Sequence, residues 1–133
     1  MTSSKKQSIF PGGKDTATGA YSPGLACGDL VFVSGQGSLD PRTQEIIGAT
    51  IETQTEQTLR NVQRVLEAAG CTLEDCVKTT VHLRDIAHFE RFNKTYAGFF
   101  KKPYPARTTV QSGLWPGLLV EIDAIAIRGG GGG

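Results

Sequence analysis

The chain is 133 residues long, which suits a single domain. Its 14 Lys and Arg residues against 13 Asp and Glu residues give a net charge of +1, which excludes the strongly basic surface typical of proteins that bind nucleic acid or anionic membranes. No apolar run approaches the roughly 18 residues that a membrane span needs, and the polar N-terminal residues form no signal core. We therefore expect a cytoplasmic protein whose partners include neither a membrane nor a nucleic acid.

The first third of the chain is predicted to form an arm and a β-hairpin. Residues 1–16 are polar and interrupted by Gly and Pro, which predicts a flexible arm before a single domain at residues 17–128. Residues 18–26 are extended, and we place them at a sheet edge because Pro23 cannot donate a hydrogen bond to a neighbouring strand. A turn at residues 27–29 then leads into an apolar strand at residues 30–36.

The middle of the chain is predicted to hold two helices with a strand between them. Residues 50–69 form the clearest helix, with Thr50 as its N-cap and Gly70 just beyond its C-terminus. Residues 73–83 alternate apolar and polar side chains, as a half-buried strand does. Residues 87–101 form a second helix that Pro103 ends. Its apolar stripe is aromatic: Phe89, Phe92, Tyr96, Phe99 and Phe100.

Two strands are predicted at the end, at residues 104–111 and 118–128, joined by a Gly/Pro loop. The run of glycines at residues 129–133 is read as a disordered or artificially appended tail. The order β-β-α-β-α-β-β predicts an α+β sandwich of two layers. In it, two amphipathic helices cover one face of a mixed or antiparallel sheet.

Arg107 is the strongest candidate for a functional residue, because a guanidinium in a mostly apolar strand needs a planar anionic partner. One alternative is structural: an exposed edge, or an internal salt bridge with Glu121 or Asp123, which share one face of the last strand. The other is functional: a fork of donors aimed at a carboxylate substrate, with an acid/base group nearby. The residues alone leave both alternatives open, since the strand register cannot be read from sequence.

Other side chains have simple structural explanations when taken singly. Tyr21 is interpreted as a packing aromatic, and Asn93 as an amide satisfied beside the aromatic stripe. The Ser34-Gly35 bend lacks the Lys-Ser/Thr of a phosphate loop. His82 and His88 lack the spacing of a metal site or a nucleophile relay. The three cysteines are odd in number and form no CxxC pair, so we expect buried thiols and no metal.

Seven blocks in the range 18–127 nevertheless resemble, in order, the Rid family of reactive-intermediate deaminases (YjgF/RidA), historically called L-PSP endoribonucleases. The blocks are Gly19-Ala20-Tyr21-Ser22-Pro23, Val33-Ser34-Gly35-Gln36, Glu67-Ala68-Ala69-Gly70, Val77-Lys78-Thr79-Thr80-Val81, Phe92-Asn93-Lys94-Thr95-Tyr96, Pro105-Ala106-Arg107 and Val120-Glu121-Ile122-Asp123-Ala124-Ile125-Ala126. The resemblance implies a chorismate-mutase-like fold, a homotrimer and ligand sites in the clefts between subunits.

The resemblance also implies roles for individual residues and a reaction that needs no cofactor. Arg107 would hold a substrate carboxylate, and Glu121 would orient or activate water. The remaining substrate-binding positions implied are Tyr21, Ser34, Gly35, Asn93, Thr109 and Trp115. The reaction implied is hydrolysis of a 2-enamino or 2-imino acid, such as 2-aminoacrylate, to a 2-keto acid and ammonia. The alternatives are a trimer that binds small carboxylates without catalysis or regulates a partner and, disfavoured by the near-neutral charge, a ribonuclease or translation inhibitor.

Three features depart from the family pattern. Thr109 stands where the most studied deaminases often have cysteine, and Asp123 stands where glutamate is usual. The loop 114–117 is one residue shorter than the common form and carries the bulky Trp115. These departures concern residues around the implied pocket, so they bear on the identity and size of the substrate.

Overall fold

The computed structural model describes residues 5–13, 15 and 19–131. These residues form one sheet and two α-helices, with short 3₁₀ turns between them. In chain order the elements are β1 (Lys6–Ile9), β2 (Gly24–Cys27), β3 (Leu30–Gln36), α1 (Ile51–Ala68), β4 (Cys76–Leu83), α2 (Phe89–Ala97), β5 (Ala106–Gln111) and β6 (Val120–Ile127).

The strand order in the six-stranded sheet is β1-β2-β3-β6-β4-β5. All neighbours are antiparallel except β4 and β5, which are parallel. Parallel neighbours need a long crossover connection, and α2 provides it between β4 and β5. The last two strands are therefore not neighbours, because β4 lies between β5 and β6. The prediction of an α+β domain with a mixed sheet and two helices is confirmed.

The N-terminal strand was not visible in the sequence pattern. Residues 6–9 fall inside the segment expected to be a loose arm, yet they pair with β2, with Ser8 opposite Leu25. The pairing uses backbone hydrogen bonds and exposes most of the polar side chains of β1, so no apolar alternation marks the strand. Strand β2 is consequently not at the sheet edge. The rest of that arm at residues 1–4, 14 and 16, and glycines 132–133, lie outside the described residues.

Helix α1 begins and ends where its caps indicate. The side chain of Thr50 accepts a hydrogen bond from the Thr53 backbone N–H at 3.2 Å. Gly70 has φ 79°, the left-handed conformation that follows many helix C-termini. Helix α2 is shorter than predicted: a 3₁₀ turn capped by Asp85 precedes it, and Gly98 follows its last residue, Ala97.

Both helices pack on one face of the sheet, which we call the helix-covered face. Alternate residues of β3, β4 and β6 point to this face and are buried: Val31, Val33, Thr79, Val81, Leu83, Val120, Ile122, Ala124 and Ala126. The other face, the open face, carries Phe32, Lys78, His82, Glu121 and Asp123. Neither helix is both long and apolar enough to cross a bilayer, as far as the described residues extend.

Candidate functional site

Arg107 points to the helix-covered face, toward α2. It is paired with Thr79 across the parallel β4–β5 ladder, and Thr79 is buried beneath the helices. Three aromatic rings of α2 surround its guanidinium carbon, with centroids at 5.5 Å (Phe89), 5.7 Å (Phe92) and 4.8 Å (Tyr96). These distances permit cation–π attraction to each ring. The aromatic stripe thus holds the arginine side chain as well as part of the core.

Asn93 fixes the orientation of this guanidinium. Its Oδ1 accepts a hydrogen bond from Nη1 of Arg107 at 2.7 Å. Asn93 follows Phe92 and lies one helical turn from Phe89 and Tyr96, so helical geometry places all four side chains on one side of α2. The sequence favours an amide satisfied by neighbouring backbone over one that points into a cleft, but the structure directs the Asn93 side chain at a charged group that borders a groove.

The hydroxyl of Tyr96, whose ring contacts Arg107, is hydrogen-bonded to β4. It forms a 2.7 Å hydrogen bond with Thr79 Oγ1. Burial raises the pKa of Tyr96 above its ordinary value, although the hydrogen bond with Thr79 and the positive charge of Arg107 act in the opposite direction. Tyr96 is therefore a neutral phenol at physiological pH.

The guanidinium of Arg107 borders a surface groove of ≈ 420 Å³ lined by Asn93, Tyr96, Ala97, Tyr104, Pro105 and Arg107. Among the described residues, no carboxylate lies within 4.0 Å of Arg107. The proposed internal salt bridge with Glu121 or Asp123 is thus wrong. Glu121 is paired with His82 and Asp123 with Thr80 in the β4–β6 ladder. Residues paired across a ladder point to the same face, so both acids lie on the open face, opposite Arg107.

Thr109 lies on the same face of β5 as Arg107, two residues along the strand. In the described part of the chain its Oγ1 is buried without a hydrogen-bond partner. A buried hydroxyl of this kind can donate to an anion or accept from an N–H group. Arg107, Asn93 and Thr109 therefore form one cluster, which we call the arginine group.

Glu121 belongs to a second cluster, on the open face. It is half-buried beside a bulge in β3, where the register with β6 shifts between Val33 and Gln36. Gly35 lies in this bulge, and a Cβ at Gly35 would come within 2.9 Å of Cδ and Oε2 of Glu121. Only glycine leaves room for the carboxylate at this distance, which explains the bend that the sequence indicates.

Ser34 connects this cluster to the segment that contains Tyr21. Its Oγ donates a 2.5 Å hydrogen bond to the Ser22 carbonyl, and its backbone N–H donates to the Pro23 carbonyl at 3.0 Å. Tyr21 is 53% exposed, so it is not the packing aromatic that the sequence favours. Tyr21 and Gly35 line the same cavity of ≈ 120 Å³, whose other lining residues include Asn61, Arg64 and Val65 of α1. Tyr21 therefore lies toward α1, and we call Ser34, Gly35 and Glu121 the glutamate group.

The loop before β6 borders the glutamate group as well. Trp115 and Glu121 line one depression together with Gly113, Leu114 and Pro116. Sequence reasoning missed the residues that hold this loop, Arg84 and Gln54, because their hydrogen bonds run to backbone carbonyl and N–H groups far away in the chain. A polar residue at a buried helical position, such as Gln54, was the one available signal.

His82 has more partners than the sequence suggests. Its Nδ1 is 2.8 Å from Ser112 Oγ, and its Nε2 is 3.9 Å from Asp123 Oδ2. Cys71 and Cys76 are buried thiols, and burial raises the pKa of Cys76 to about 12. Within the described residues, no cluster of three His, Cys, Asp or Glu side chains is placed to hold a metal ion.

The two groups lie apart within one chain. Arg107 and Glu121 are on opposite faces of the sheet, and β4 separates their strands. Neighbouring strands are about 4.8 Å apart, so a small ligand on one face cannot contact both side chains of the same copy.

A further prediction concerns Gly35. For the imine hydrolysis that the family resemblance implies, we expect Gly35→Ala to lower kcat about tenfold or more, because the added Cβ displaces the Glu121 carboxylate. The backbone of residue 35 does not adopt the left-handed conformation, so alanine puts no strain on it. Steady-state kinetics and a thermal melt would check this. Gly98→Ala is the matched control, since its Cβ would meet its nearest neighbour at an ordinary 3.4 Å. An unfolded Gly35 variant, or one with unchanged turnover, would contradict the assignment.

Comparison with known proteins identifies the family. The profile described as Endoribonuclease L-PSP matches residues 13–128. A RutC family protein of Saccharolobus solfataricus is 43% identical over 91% of this chain and 97% of its own length. The human 2-iminobutanoate/2-iminopropanoate deaminase is 37% identical over 85% of this chain and 83% of its own. The structure of Escherichia coli TdcF with bound serine has a TM-score of 0.83 and 35% identity, covering 92% of this chain and 98% of TdcF. The chain belongs to the endoribonuclease L-PSP family, which is the Rid family that its motifs indicate.

Proposed function

We propose that the protein hydrolyses reactive 2-enamino and 2-imino acids, such as 2-aminoacrylate, to 2-keto acids and ammonia. The observation that carries this proposal is Arg107, held by three aromatic rings and Asn93 beside an open groove, with no carboxylate partner among the described residues. Such a guanidinium keeps donors available for a planar anion. The human relative is named for two 2-imino acids, and TdcF was solved with serine, another small carboxylate.

In this mechanism Arg107 binds the substrate carboxylate through two parallel hydrogen bonds. The enamine first tautomerises to the imine, moving a proton from nitrogen to carbon. Because the guanidinium is already oriented by Asn93, little side-chain entropy is lost on binding. The buried hydroxyl of Thr109 lies on the same face and can donate a further hydrogen bond.

Glu121 then handles water and protons. A water oxygen bonds to the imine carbon while Glu121 accepts a proton from it and the C=N electron pair moves to nitrogen. Nitrogen takes up two protons, first the one that Glu121 accepted and then the one that the new hydroxyl gives up. The C–N bond breaks with its electrons on ammonia as the hydroxyl oxygen becomes the keto group, and Glu121 returns to its carboxylate form. The overall change adds one water and releases one ammonia, and the reactive substrate supplies the driving force.

We further propose that the site is completed between copies of the chain, in a homotrimer. Arg107 and Glu121 lie on opposite faces of the sheet, so a substrate that contacts both needs each from a different copy. The open face also presents apolar side chains that remain 38–40% exposed: Leu30, Phe32, Val110 and Ile127. Exposed apolar patches of this kind are typical of protein–protein interfaces. A ribonuclease activity finds less support, since the net charge is only +1.

The proposal is tested by making 2-aminoacrylate in situ with a PLP-dependent serine dehydratase. We expect the protein to accelerate loss of this intermediate at least about tenfold over its spontaneous hydrolysis, with pyruvate formed in equal amount. Imines made from larger amino acids by an amino-acid oxidase extend the assay. If neither kind of substrate is consumed faster than in buffer, the protein is a carboxylate-binding module and not a deaminase.

A further inference from the structure

The loop that precedes β6 is held to the sheet by one arginine. Arg84 donates from Nη2 to the carbonyls of Leu114 (2.7 Å) and Trp115 (2.6 Å), and from Nε to the carbonyl of Leu118 (2.7 Å). A guanidinium has five donors in a rigid plane, so three bonds to one loop fix its backbone relative to β4. The backbone of residues 114–118 is therefore held in one arrangement.

Helix α1 holds the same loop from the other side. Gln54 is 1% exposed, and its Nε2 donates to the carbonyl of Gly117 at 2.9 Å. Its Oε1 accepts from the backbone N–H of Leu119 at 2.8 Å. A buried amide with both ends satisfied by one segment leaves that segment little freedom. Hydrogen bonds from Arg84 and Gln54 thus fix the backbone of the loop.

The indole of Trp115 contrasts with this fixed backbone. It is 78% exposed, the largest exposed fraction among the large apolar side chains described. With Gly113, Leu114, Pro116 and Glu121, it borders a depression of ≈ 330 Å³. Three of the five lining residues, Leu114, Trp115 and Pro116, have apolar side chains, and the candidate base Glu121 lines the same depression. The exposed indole can therefore contact an apolar group attached to the atom on which Glu121 acts.

We propose that Trp115 is a specificity-determining residue and that Arg84 is its positioning residue, so that the protein prefers 2-imino acids with bulky apolar or aromatic side chains. This rests on the proposed function for the orientation of the substrate. With the imine carbon at Glu121, the substrate side chain occupies the depression that Glu121 and Trp115 line together. An aromatic or branched group there packs on the indole and removes apolar surface from water, and a methyl group removes less.

Two measurements test the assignment. In the first, kcat/KM is compared for imines made from leucine, phenylalanine and alanine by an amino-acid oxidase. We expect Trp115→Ala to lower kcat/KM about tenfold for the two bulky imines and less than about threefold for the alanine imine. Trp115→Phe is the matched control and keeps most of the preference. Arg84→Met is expected to lose part of the preference for bulky imines because KM for these imines rises, while kcat for the alanine imine is retained.

The second measurement does not need turnover. Trp115 is the only tryptophan in the chain, so its fluorescence reports directly on this loop. We expect 4-methyl-2-oxopentanoate to bind the wild type about tenfold more tightly than pyruvate, with a change in emission, and calorimetry on Trp115→Ala to show that the difference is lost.

The outcomes separate the two proposals. If no imine is hydrolysed but the binding preference depends on Trp115, the deaminase proposal fails and the role of Trp115 stands. If imines are hydrolysed while Trp115→Ala changes neither the kcat/KM preference for bulky imines nor the binding preference for 4-methyl-2-oxopentanoate, the role of Trp115 is refuted. An indole that is already shielded from acrylamide in the free protein, and unaffected by either keto acid, is covered by a second copy, and this also overturns the assignment.

Discussion

Replacing Arg107 with methionine is expected to lower kcat/KM for 2-aminoacrylate about 100- to 1,000-fold, because two charge-assisted hydrogen bonds to the carboxylate are lost. Methionine keeps an unbranched side chain among Phe89, Phe92 and Tyr96, so the aromatic stripe stays packed. Arg107→Lys keeps the charge and loses the fork, and an intermediate loss of about tenfold to 100-fold is expected. Steady-state kinetics with the in situ substrate measures both.

Arg91→Met is the matched control. Arg91 also lies on α2, and its guanidinium donates two hydrogen bonds, 2.7 and 2.8 Å long, to Glu52 on the protein surface. We expect this control to retain activity within about twofold, as exposed ion pairs contribute little. A thermal melt of each variant separates lost binding from lost folding. Full activity in a folded Arg107→Met variant would refute the carboxylate-binding role.

Glu121→Gln is expected to lower kcat about 100-fold or more, with KM within about threefold, because the amide has the shape of the carboxylate and cannot accept the proton from water. Asp123→Asn changes a second carboxylate on the same strand face and is the matched control. We expect that control to stay within about threefold of the wild type. A comparable loss in both variants would show that the net negative charge of the open face matters, and not the base.

Mixing the two inactive variants tests where each residue acts. If every site takes Arg107 from one copy and Glu121 from another, random reassembly of Arg107→Met and Glu121→Gln subunits restores about one quarter of wild-type activity. If both residues act from the same copy, mixing restores nothing. Sedimentation of the mixture, compared with three times the 14.2 kDa of one chain, shows whether trimers formed.

The elements that sequence predicts best are those set by local interactions. Thr50 and Gly70 mark the ends of α1 through hydrogen bonds and backbone conformation within a few residues, and both predictions are confirmed. Strand β1 could not be predicted, because its stability comes from pairing with β2 and its side chains are largely exposed. Phe89, Phe92 and Tyr96 of the predicted aromatic stripe lie on α2, whereas Phe99 and Phe100 lie beyond it because the helix ends before Gly98.

The face to which Arg107 points was beyond the sequence for a different reason. It depends on β5 being parallel to β4 and separated from β6, and these are contacts between distant parts of the chain. A shift of one residue would have turned Arg107 to the open face, which also carries Asp123. The residues of the candidate site were available from motif resemblance. Their division into two groups, and the roles of Tyr96 and Arg84 as supports, needed the structure.

The way in which the loop before β6 is held bears on how readily this protein can acquire new substrates. Arg84 and Gln54 bond to carbonyl and N–H groups that every residue type except proline provides in full. Side chains at positions 114 and 115 can therefore be exchanged without loss of these bonds. The scaffold separates the residues that stabilise the fold from those that meet the ligand. A library varied at these two positions should sample many substrate preferences while nearly every member still folds.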